Sequence, residues 1–303
     1  MRGIGKTVDD IIAIVDRVRK RPAHDLFDTT GVTVLRAKLY ALVSRGDPIN
    51  FLLPAFPCKS PNTIDKVLGT LPDKAEDRAL DYLHEFCSRI SSAHGPGCNL
   101  LIFADGRVYS DLIGVSDGTI NAYMGAIKAM SASTHIHWSC LDNFFPGMKP
   151  DDMRKAVVDN YGKTMDTIKD MIANNPDKLR LYLALTRFLV EDRRWPATQS
   201  KTNIEKTCKA RALEGMQRND AYGAMLKHAY PDHIRLSIHP HSNAGDKIGI
   251  NLLPGGDGWG TPWHNVLVER KDGTLCLMKK RDAVASGYTL VFADERPSHF
   301  VEK

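Results

Sequence analysis

Basic and polar side chains cluster in short segments that directly follow apolar runs. The first of these segments contains Lys59, Asn62 and Lys66 and comes after the apolar residues 51–53. Ammonium and amide groups at this spacing suit the binding of an anion, such as a phosphate or a carboxylate. The local sequence leaves open a second interpretation, in which the segment is a solvated loop with ordinary surface lysines.

A second segment, 104–111, begins where another apolar run ends and contains Asp105, Arg107 and Asp111. Carboxylates can transfer protons, and a guanidinium binds carboxylates or phosphates through two parallel hydrogen bonds. Polar groups at the carboxyl ends of strands are also where open α/β sheets bind ligands. A tight Asp-Gly turn with a surface ion pair between arginine and aspartate explains the segment equally well.

A third segment, 235–249, places Arg235, Ser237 and His239 at alternate positions, and Lys247 follows them. Alternate residues of a regular strand lie on the same face, so the first three are expected to face the same region. Imidazole transfers protons near neutral pH, and the lysine supplies a compact positive charge. For the histidine alone, a core imidazole hydrogen-bonded to the backbone is the simpler interpretation.

A fourth segment, 258–265, contains Trp259, Trp263 and His264 around a Thr-Pro turn. Two aromatic rings, a rigid turn and an imidazole can line a ligand pocket. The same residues are more typical of a packed corner, and without other observations this interpretation is favoured.

Metal ions and the common nucleotide cofactors lack their usual sequence signals. Histidines lie two apart at 135/137 and 239/241, but no H-E-x-x-H motif or Cys/His framework accompanies them. The chain has no Walker loop, no G-x-G-x-x-G after a strand and no G-x-S-x-G elbow. We therefore expect neither a metal ion nor a nucleotide, nicotinamide or flavin cofactor.

The composition is that of an ordinary globular protein. The 303 residues are 43% hydrophobic and carry a formal net charge of +5, which is too modest for a typical nucleic-acid-binding protein. Apolar runs are too short to span a bilayer, and aspartates interrupt the N-terminal segment, so neither a membrane anchor nor a signal peptide is expected. The six scattered cysteines predict reduced thiols. A cytoplasmic location follows as the expectation.

Strands and helices alternate around the polar segments. Strands are predicted at 49–53, 99–104, 234–238, 247–252 and 288–293, and a hairpin with an Asp-Gly turn at 265–278. The clearest helix begins after Asp73, with Glu76 completing a capping box. Helices at 153–173, 176–191 and 204–230 form a helical insertion over about 150–230, and 195–202 is predicted to be a loop that can act as a lid. The pattern predicts a single α/β domain spanning 1–303.

Longer motifs resemble those of the isocyanide synthases, the pyoverdine and dityrosine biosynthesis family. The resemblance runs from about residue 30 to the C-terminus and includes the form FPCKSPN, which is similar to the fungal branch. The motifs that carry it are LPAFPCKSPNTIDKVLGTLPDKAEDRAL, ADGRVYSDLIGVSD, RFLVEDRRW, IRLSIHP, KIGINLLP and TPWHNVLV. The family implies a Rossmann-like mixed sheet flanked by helices, which agrees with the helical insertion and C-terminal hairpin predicted above.

The resemblance also implies a reaction. The amine of an L-amino acid condenses with the C2 ketone of ribulose 5-phosphate, and later steps release phosphate and fragment the sugar, so that C2 becomes the isocyanide carbon. Ribulose 5-phosphate is a co-substrate, and no cofactor is implied. Because the substrates carry a phosphate and a carboxylate, the site needs two anion receptors. Fungal relatives often join an oxygenase or a peptide synthetase, so fusion to or cooperation with such an enzyme is an expectation here.

Substrate-binding roles follow from this chemistry. Lys59, Lys66 and Arg107 are expected to serve the sugar phosphate and developing negative charge, and Arg235 the amino-acid carboxylate or the phosphate. Asn62 and Ser237 are expected to orient hydroxyl groups. The complete set of expected substrate-binding residues is Asn62, Lys66, Arg107, Arg235, Ser237, Lys247 and Trp263.

Catalytic roles are expected for groups that can move protons or stabilise developing negative charge. The expected set is Lys59, Asp105, Asp111, His239 and His264. Two rival functions stay open: a different enzyme that condenses a phosphosugar with an amine, and a non-catalytic protein that binds phosphorylated ligands or nucleic acid. The sequence does not identify the amino acid, although an apolar or aromatic side chain is favoured.

Overall fold

A parallel sheet of five strands forms the centre of the molecule. The structure, a computed structural model, describes residues 3–193, 200–255 and 260–303. The strand order is β3-β2-β1-β4-β5, and every pairing is parallel. The strands are β1 Ile49–Ala55, β2 Cys98–Ala104, β3 Ile136–Ser139, β4 Ile234–Ser237 and β5 Ile248–Gly249.

The two inner strands are covered on both faces, as their continuous apolar runs predict. Phe51 and Leu53 point into one core with no exposed surface, whereas Leu52, between them, packs into a second core on the opposite face. The same alternation holds in β2, where Ile102 belongs to the first core and Phe103 to the second. Side chains alternate because successive residues of a strand point to opposite faces.

Helices cover both faces of this sheet. Their bounds are α1 Ile4–Val18, α2 Val32–Arg45, α3 Lys74–Ala93, α4 Gly106–Ile113, α5 Asp117–Met130, α6 Leu141–Phe144, α7 Pro150–Tyr161, α8 Met165–Asn174, α9 Pro176–Arg193, α10 Lys201–Ala229 and α11 Lys280–Ala285. A π-helical turn at Phe27–Gly31 precedes α2, and a 3₁₀ turn at Pro262–His264 follows the central sheet. The first core contains side chains of α1, α2, α3 and α5, and the second contains side chains of α4, α7 and α10.

The strand order reverses at β1, and this reversal positions the site. From β1 the chain moves to β2 on one side, and it later returns to β4 on the other side. Ligands of open α/β sheets bind in the crevice beyond the carboxyl ends of strands at such a reversal. The polar segments that follow β1, β2 and β4 therefore meet at one edge of the sheet.

Helix α3 starts as the sequence predicts. The Asp73 side chain accepts a hydrogen bond from the backbone N–H of Ala75, and Glu76 accepts one from the N–H of Asp73 at 3.0 Å. This capping box satisfies backbone donors that a helix N-terminus otherwise leaves unpaired.

The segment after β2 differs from a tight Asp-Gly turn. Asp105 is the N-cap residue of α4, and α5 follows directly, so two helices connect β2 to β3. Strand β3 was not predicted, because it is a short edge strand and its polar histidine interrupts the apolar run that would indicate a strand.

The helical insertion is confirmed, with one change. The helix predicted at 153–173 is two helices, α7 and α8, because the chain bends at Gly162 and Thr164 caps the second helix. Helix α10 is 29 residues long and packs against α4, α7, α8 and α9. A loop was predicted at 195–202. Its residues 195–199 lie outside the described residues, and its last two residues begin α10.

A second, smaller sheet forms the C-terminal part. Its order is β7-β6-β9-β8, built from β6 Val266–Glu269, β7 Leu275–Met278, β8 Thr289–Ala293 and β9 Arg296–Val301. The predicted hairpin joins β6 to β7, with Gly273 in the left-handed region at φ +79°. The α/β fold class is thus confirmed, and the single-domain organisation stays a prediction. Within the described residues, no helix is both long and apolar enough to cross a bilayer.

Replacing Gly106 by alanine should destabilise the fold. A Cβ atom there would lie 2.1 Å from the backbone oxygen of Pro57, so the loop after β1 or helix α4 must shift. Overpacking of this kind typically costs about 1–3 kcal/mol. The control is Gly125→Ala in α5, where a Cβ meets nothing within 4 Å and alanine should stabilise the helix by up to about 1 kcal/mol. Urea unfolding measures both changes, and equal stability of the two variants would contradict the close approach.

Candidate active site

Lys59 lies in a fully buried network at the start of the loop after β1. Its Nζ atom is 2.9 Å from Asp73 and 2.7 Å from Glu76, and it donates a hydrogen bond to the backbone oxygen of Pro262 at 3.0 Å. The ammonium group is thus enclosed by two carboxylates and one carbonyl oxygen, all within 3.0 Å. Burial lowers the pKa of Lys59, but the two carboxylates outweigh this effect and raise it above its ordinary value.

The buried ammonium group of Lys59 holds two parts of the chain together. It connects helix α3 to the turn that carries Trp263 and His264, and the backbone N–H of Ser60 donates to the oxygen of Trp263 at 2.8 Å. Because the Lys59 side chain has no exposed surface and its charge is paired with two carboxylates, the structure indicates a positioning role in place of the predicted catalytic role.

Lys66 lies in a second buried ion pair, one turn further along the loop. Its Nζ atom is 2.5 Å from Asp192 and 3.2 Å from Glu191, near the end of α9. It also lies 4.8 Å above the ring of Phe188. Asp192 in addition accepts a hydrogen bond from Ser60 at 2.8 Å. The loop after β1 is therefore fixed to the helical insertion as well as to the C-terminal part.

Asn62 organises the same loop. Its Oδ1 atom accepts a hydrogen bond from the backbone N–H of Asp65 at 2.9 Å, and its Nδ2 atom donates to the backbone oxygen of Glu191 at 3.1 Å. The residue is completely buried. These contacts indicate a structural role in place of the expected contact with a substrate hydroxyl.

Asp105 ends β2 with a carboxyl group that is incompletely paired. Its Oδ1 atom is buried and has no hydrogen-bond partner among the described residues. Burial raises the pKa of Asp105 to about 7, and the charge of nearby Arg235 only partly opposes this effect. A carboxyl group with a pKa near neutrality can both give and take a proton at physiological pH.

Arg235 lies on β4, the strand next to β1, and its surroundings include two tyrosines that sequence reasoning missed. The charge of Arg235 acts on Tyr109 of α4 and Tyr222 of α10, and both phenols have a raised pKa, mainly because of burial. The Nε atom of Arg235 and the hydroxyl of Tyr222 are buried without a hydrogen-bond partner in the described parts of the chain. No local pattern marks Tyr222, since it lies in the middle of a long helix.

The residues after β4 form a basic group. The Ser237 hydroxyl accepts a hydrogen bond from the N–H of His239 at 3.1 Å and lies 2.9 Å from Nε2 of His241. Burial, Lys247 and neighbouring basic groups lower the pKa of His241 to about 4. His239 has an open side to solvent, yet crowding by protein atoms, together with Lys20 and Lys247, lowers its pKa. Both imidazoles are therefore neutral near pH 7.

His264 and Trp263 share the 3₁₀ turn but have different surroundings. Trp263 is 2% exposed and packs against Phe56 at 5.1 Å between ring centroids, so the packed-corner interpretation describes it. His264 contacts the ring of Phe188 at 4.9 Å, and its buried Nδ1 atom has no partner in the described ranges. Burial, followed by the charges of Lys66, His239 and Lys59, lowers the pKa of His264 well below its usual value.

The parallel strands β1, β2 and β4 place the segments that follow them at the same end of the sheet, and the electrostatic influences among these groups agree with this placement. Lys66, Lys59 and His239 act on His264, and Arg235 acts on both His241 and Lys247. Asp105 and Asp192 both act on the thiol of Cys58, whose pKa is raised mainly by burial. The groups brought together at the edge of the central sheet are Lys59, Lys66, Asp105, Arg235, His239, His241, Lys247 and His264.

Arg107 and Asp111 belong to a separate network on α4. The Arg107 guanidinium bonds to Asp142 at 2.8 Å, to Asp117 at 3.1 Å and to Asn121. Both oxygens of Asp111 accept hydrogen bonds from Arg218. These side chains already have charged partners, so the structure does not bring them to the site as expected.

Two cavities border these networks. One of about 600 Å³ is lined in part by Phe188, Glu191 and Arg281, and Phe188 thus connects it to Lys66 and His264. A second of about 350 Å³ is lined in part by Arg107 and Lys128. No cluster of three or more histidine, cysteine, aspartate or glutamate side chains suited to a metal ion occurs within the described residues. Trp259, which belongs to the fourth segment, lies within 256–259, outside those residues.

Comparison with known proteins decides the family. The family described as "Pyoverdine/dityrosine biosynthesis protein" matches residues 39–291. The chain is 41% identical over 269 residues to L-tryptophan isonitrile synthase AmbI2 of Fischerella ambigua, covering 87% of this chain and 80% of the relative. The chain belongs to the isocyanide synthase family. The predicted family and the prediction that the chain is an enzyme are thereby confirmed.

Other members of the family extend this result. L-tyrosine isonitrile synthase of Pseudomonas aeruginosa is 38% identical, with 87% of this chain and 82% of the relative covered. The crystal structure of PvcA from the same organism matches with a TM-score of 0.93 at 34% identity, covering 98% of this chain and all of that chain. The isocyanide synthase–NRPS hybrid crmA of Aspergillus fumigatus is 35% identical over 99% of this chain, which corresponds to 20% of that protein. Assignment to the fungal branch stays a prediction.

Replacing Lys59 by methionine should strongly destabilise this synthase. The change keeps the length of the side chain but leaves Glu76 and Asp73 buried without their counter-charge. Breaking a buried ion pair in this way costs about 3–5 kcal/mol. Lys74→Met is the control, because its pair with Asp77 is partly exposed and should contribute no more than about 1 kcal/mol. Chemical denaturation gives both values; similar effects of the two changes would contradict the anchoring role.

The raised pKa of Asp105 should appear as a pH-dependent effect of Asp105→Asn. With a pKa of about 7 in the folded state, compared with about 3.9 unfolded, the folded state binds more protons between these values. The stability contributed by Asp105 is therefore fully present below the unfolded pKa and is lost as the pH rises through about 7. The Asn variant should gain stability relative to the original protein between pH 5 and pH 8, as measured by urea unfolding.

Asp142→Asn provides the control for this slope. Burial acts to raise the pKa of Asp142, but the hydrogen bond and charge of Arg107 lower it overall. Its contribution is lost only as the pH falls through the lowered folded value, so the stability difference should stay constant from pH 5 to pH 8. A flat profile for Asp105→Asn as well would show that Asp105 ionises normally.

Proposed function

We propose that the protein is an isocyanide synthase that converts the α-amine of an L-amino acid to an isocyanide, with ribulose 5-phosphate as the carbon donor. The observation that carries this proposal is the gathering of Arg235 and Lys247 with Asp105 and neutral histidines at the sheet edge. Lys66 lies beside His264, with its charge shared with Asp192 and Glu191. The site has positive charge for anionic reactants and, next to it, groups that can exchange protons.

The proposed reactants match these charges. Ribulose 5-phosphate brings a phosphate, and the amino acid brings a carboxylate, so two anions must be bound together. Lys66 acts on His264, Lys247 acts on His241, and Arg235 acts on His241, Lys247 and Asp105, so Arg235 is near both the histidines and the carboxyl group. Holding two reactants in a productive arrangement can contribute roughly 7–11 kcal/mol to lowering the barrier.

The proposed chemistry begins with imine formation. The neutral amine adds to the C2 ketone, and water leaves after proton transfers at nitrogen and oxygen. A base then removes a proton next to the imine, and later steps release phosphate and fragment the sugar. Asp105 is suited to the first proton transfers because its pKa is about 7. His264 is suited to act as a base because burial keeps it neutral.

The remaining residues divide into supporting and outlying groups. Lys59, Asn62 and Trp263 hold the loop and the turn in place, and Ser237 holds His241. Arg107 and Asp111 are left out of the proposed site, since their charges are satisfied by Asp142 and Arg218.

The substrate class and setting are further parts of the proposal. Relatives are named for L-tryptophan and L-tyrosine, and we propose an aromatic amino acid here as well. From the sequence and the family resemblance we also propose catalysis without a metal or redox cofactor and a cytoplasmic location. Cooperation with a peptide synthetase or an oxygenase is proposed as well. The hybrid organisation of crmA supports the peptide-synthetase part.

The decisive experiment supplies the carbon donor with a label. The protein is incubated with L-tryptophan or L-tyrosine and ribulose 5-phosphate labelled with ¹³C at C2, and the products are analysed by mass spectrometry. We expect an isocyanide that contains the label. A labelled formamide or a stable imine would identify the rival condensing enzyme. Salt-sensitive binding of phosphorylated ligands without any product would identify the rival binding protein.

Two variants test whether the proposed site performs this reaction. Arg235→Gln and His264→Gln should reduce isocyanide formation by about 10²–10⁴-fold, the usual effect of losing a positioned proton-transfer or anion-binding group. The control is His84→Gln, because His84 is exposed and bonds to Ser133 on the surface. Circular dichroism confirms that the variants are folded. Near-normal turnover of both site variants would reject this location for the active site.

A further inference from the structure

Three groups at the Asp105 end of the site act on one another electrostatically, and each has a buried polar atom without a partner. The atoms are Oδ1 of Asp105, Nε of Arg235 and the hydroxyl of Tyr222, none of which has a hydrogen bond within the described residues. Asp105 follows β2, whereas Tyr222 and Arg235 belong to α10 and β4, more than 100 residues further along the chain. Buried polar atoms in folded proteins are almost always hydrogen-bonded, so three unpaired atoms in one place require an explanation.

The surroundings keep these atoms from pairing with each other. The Asp105 and Arg235 side chains form no ion pair within 4.0 Å in the described ranges, although each charge acts on the other. Tyr222 is held by its ring, which packs 5.5 Å from Phe103 and 6.2 Å from Tyr109 between centroids. The phenol of Tyr109 by contrast has a protein partner, because it donates to Asn219 at 3.2 Å.

The chemistry of the three groups identifies their ligand. A carboxylate receives an ammonium group, a guanidinium receives a carboxylate, and a phenol hydroxyl serves either group. An α-amino acid carries an ammonium and a carboxylate on one carbon atom. We propose that Asp105, Arg235 and Tyr222 form the subsite that binds the amino acid as a zwitterion, with Asp105 on the ammonium and Arg235 on the carboxylate.

Charge also separates this subsite from that of the sugar phosphate. A phosphate dianion is repelled by the Asp105 carboxylate, whereas Lys66, Lys247 and the histidines lie toward the other end. In this arrangement the proton that leaves the ammonium nitrogen passes to the Asp105 carboxylate, which becomes a carboxylic acid as the amine becomes neutral. The amine then faces the ketone of the sugar. This inference rests on the proposed function and adds the residues that read each group of the amino acid.

A series of ligands that differ by one group tests the assignment. Binding of L-tryptophan, tryptamine and indole-3-propionate is measured by calorimetry without ribulose 5-phosphate, and a parallel series uses L-tyrosine, tyramine and 3-(4-hydroxyphenyl)propionate. The wild-type protein should prefer one of the zwitterions over both of its analogues by about ten- to a hundredfold, the usual effect of a hydrogen bond to a charged group.

Each variant should lose one preference only. Asp105→Asn should no longer distinguish the amino acid from the analogue without the ammonium, yet should still disfavour the amine without the carboxylate. Arg235→Gln should show the opposite pattern. Tyr222→Phe should weaken binding of the amino acid by about tenfold. Tyr123→Phe is the matched control, because Tyr123 is equally buried but donates its hydroxyl to Glu76, away from the subsite.

The outcomes separate this inference from the proposed function. If every variant bound all three ligands more weakly by the same factor, the residues would have a merely structural role and the subsite would be overturned. A wild-type protein that does not prefer a zwitterion would overturn it as well. Isocyanide formation by the wild type would leave the proposed function intact in that case. Selective binding without isocyanide formation would instead support the subsite and reject the synthase reaction.

Discussion

The buried ion pair between Lys59 and the carboxylates of α3 is the interaction on which the site depends. It is completely enclosed, and the third donor of the ammonium fixes the backbone at Pro262. Two otherwise separate segments, the loop after β1 and the turn before β6, are thereby held together at the edge of the central sheet. Since isolated buried charges are very costly, the loop has little freedom to adopt another arrangement. Lys66 and His264 lie on these two segments, so the Lys59 ion pair also fixes their positions.

The Lys59 ion pair allows the site to contain two electrostatic regions. Lys66 and Lys247 are neighbours of histidines whose pKa is lowered by burial and by these same lysines, so added positive charge on the imidazoles is disfavoured. On the other side of Arg235, burial raises the pKa of Asp105 and of the phenols. Neutral bases therefore lie near one anion receptor, and groups able to hold a proton lie near the other. A reaction between an amine and a phosphorylated ketone needs both.

Much of the fold could be predicted, because it follows from local patterns. Continuous apolar runs identified β1 and β2, and the capping box of Asp73 and Glu76 marked the start of α3. The site was predicted less completely. The sequence revealed that Lys59 and Arg107 are basic, but not that each has partners from distant elements that occupy its donors. Tyr222 has no local signal, since its importance arises only when α10 packs against α4 and the Tyr222 ring reaches Phe103 of β2.

Unpaired polar atoms at Asp105, Arg235 and Tyr222 oppose folding, because their hydrogen bonds to water are lost without replacement. A site of this kind persists only when the surrounding structure is stable enough to hold it. Two features provide that stability nearby: the cores on both faces of β1 and β2, and the buried ion pairs and hydrogen bond of Lys59. Other buried atoms of the described residues also have no hydrogen-bond partner, but Asp105, Arg235 and Tyr222 differ from these because their charges and dipoles act on one another and match the two charged groups of an amino acid. On this argument, the hydrogen-bonding capacity left open in the fold indicates where the reactants bind.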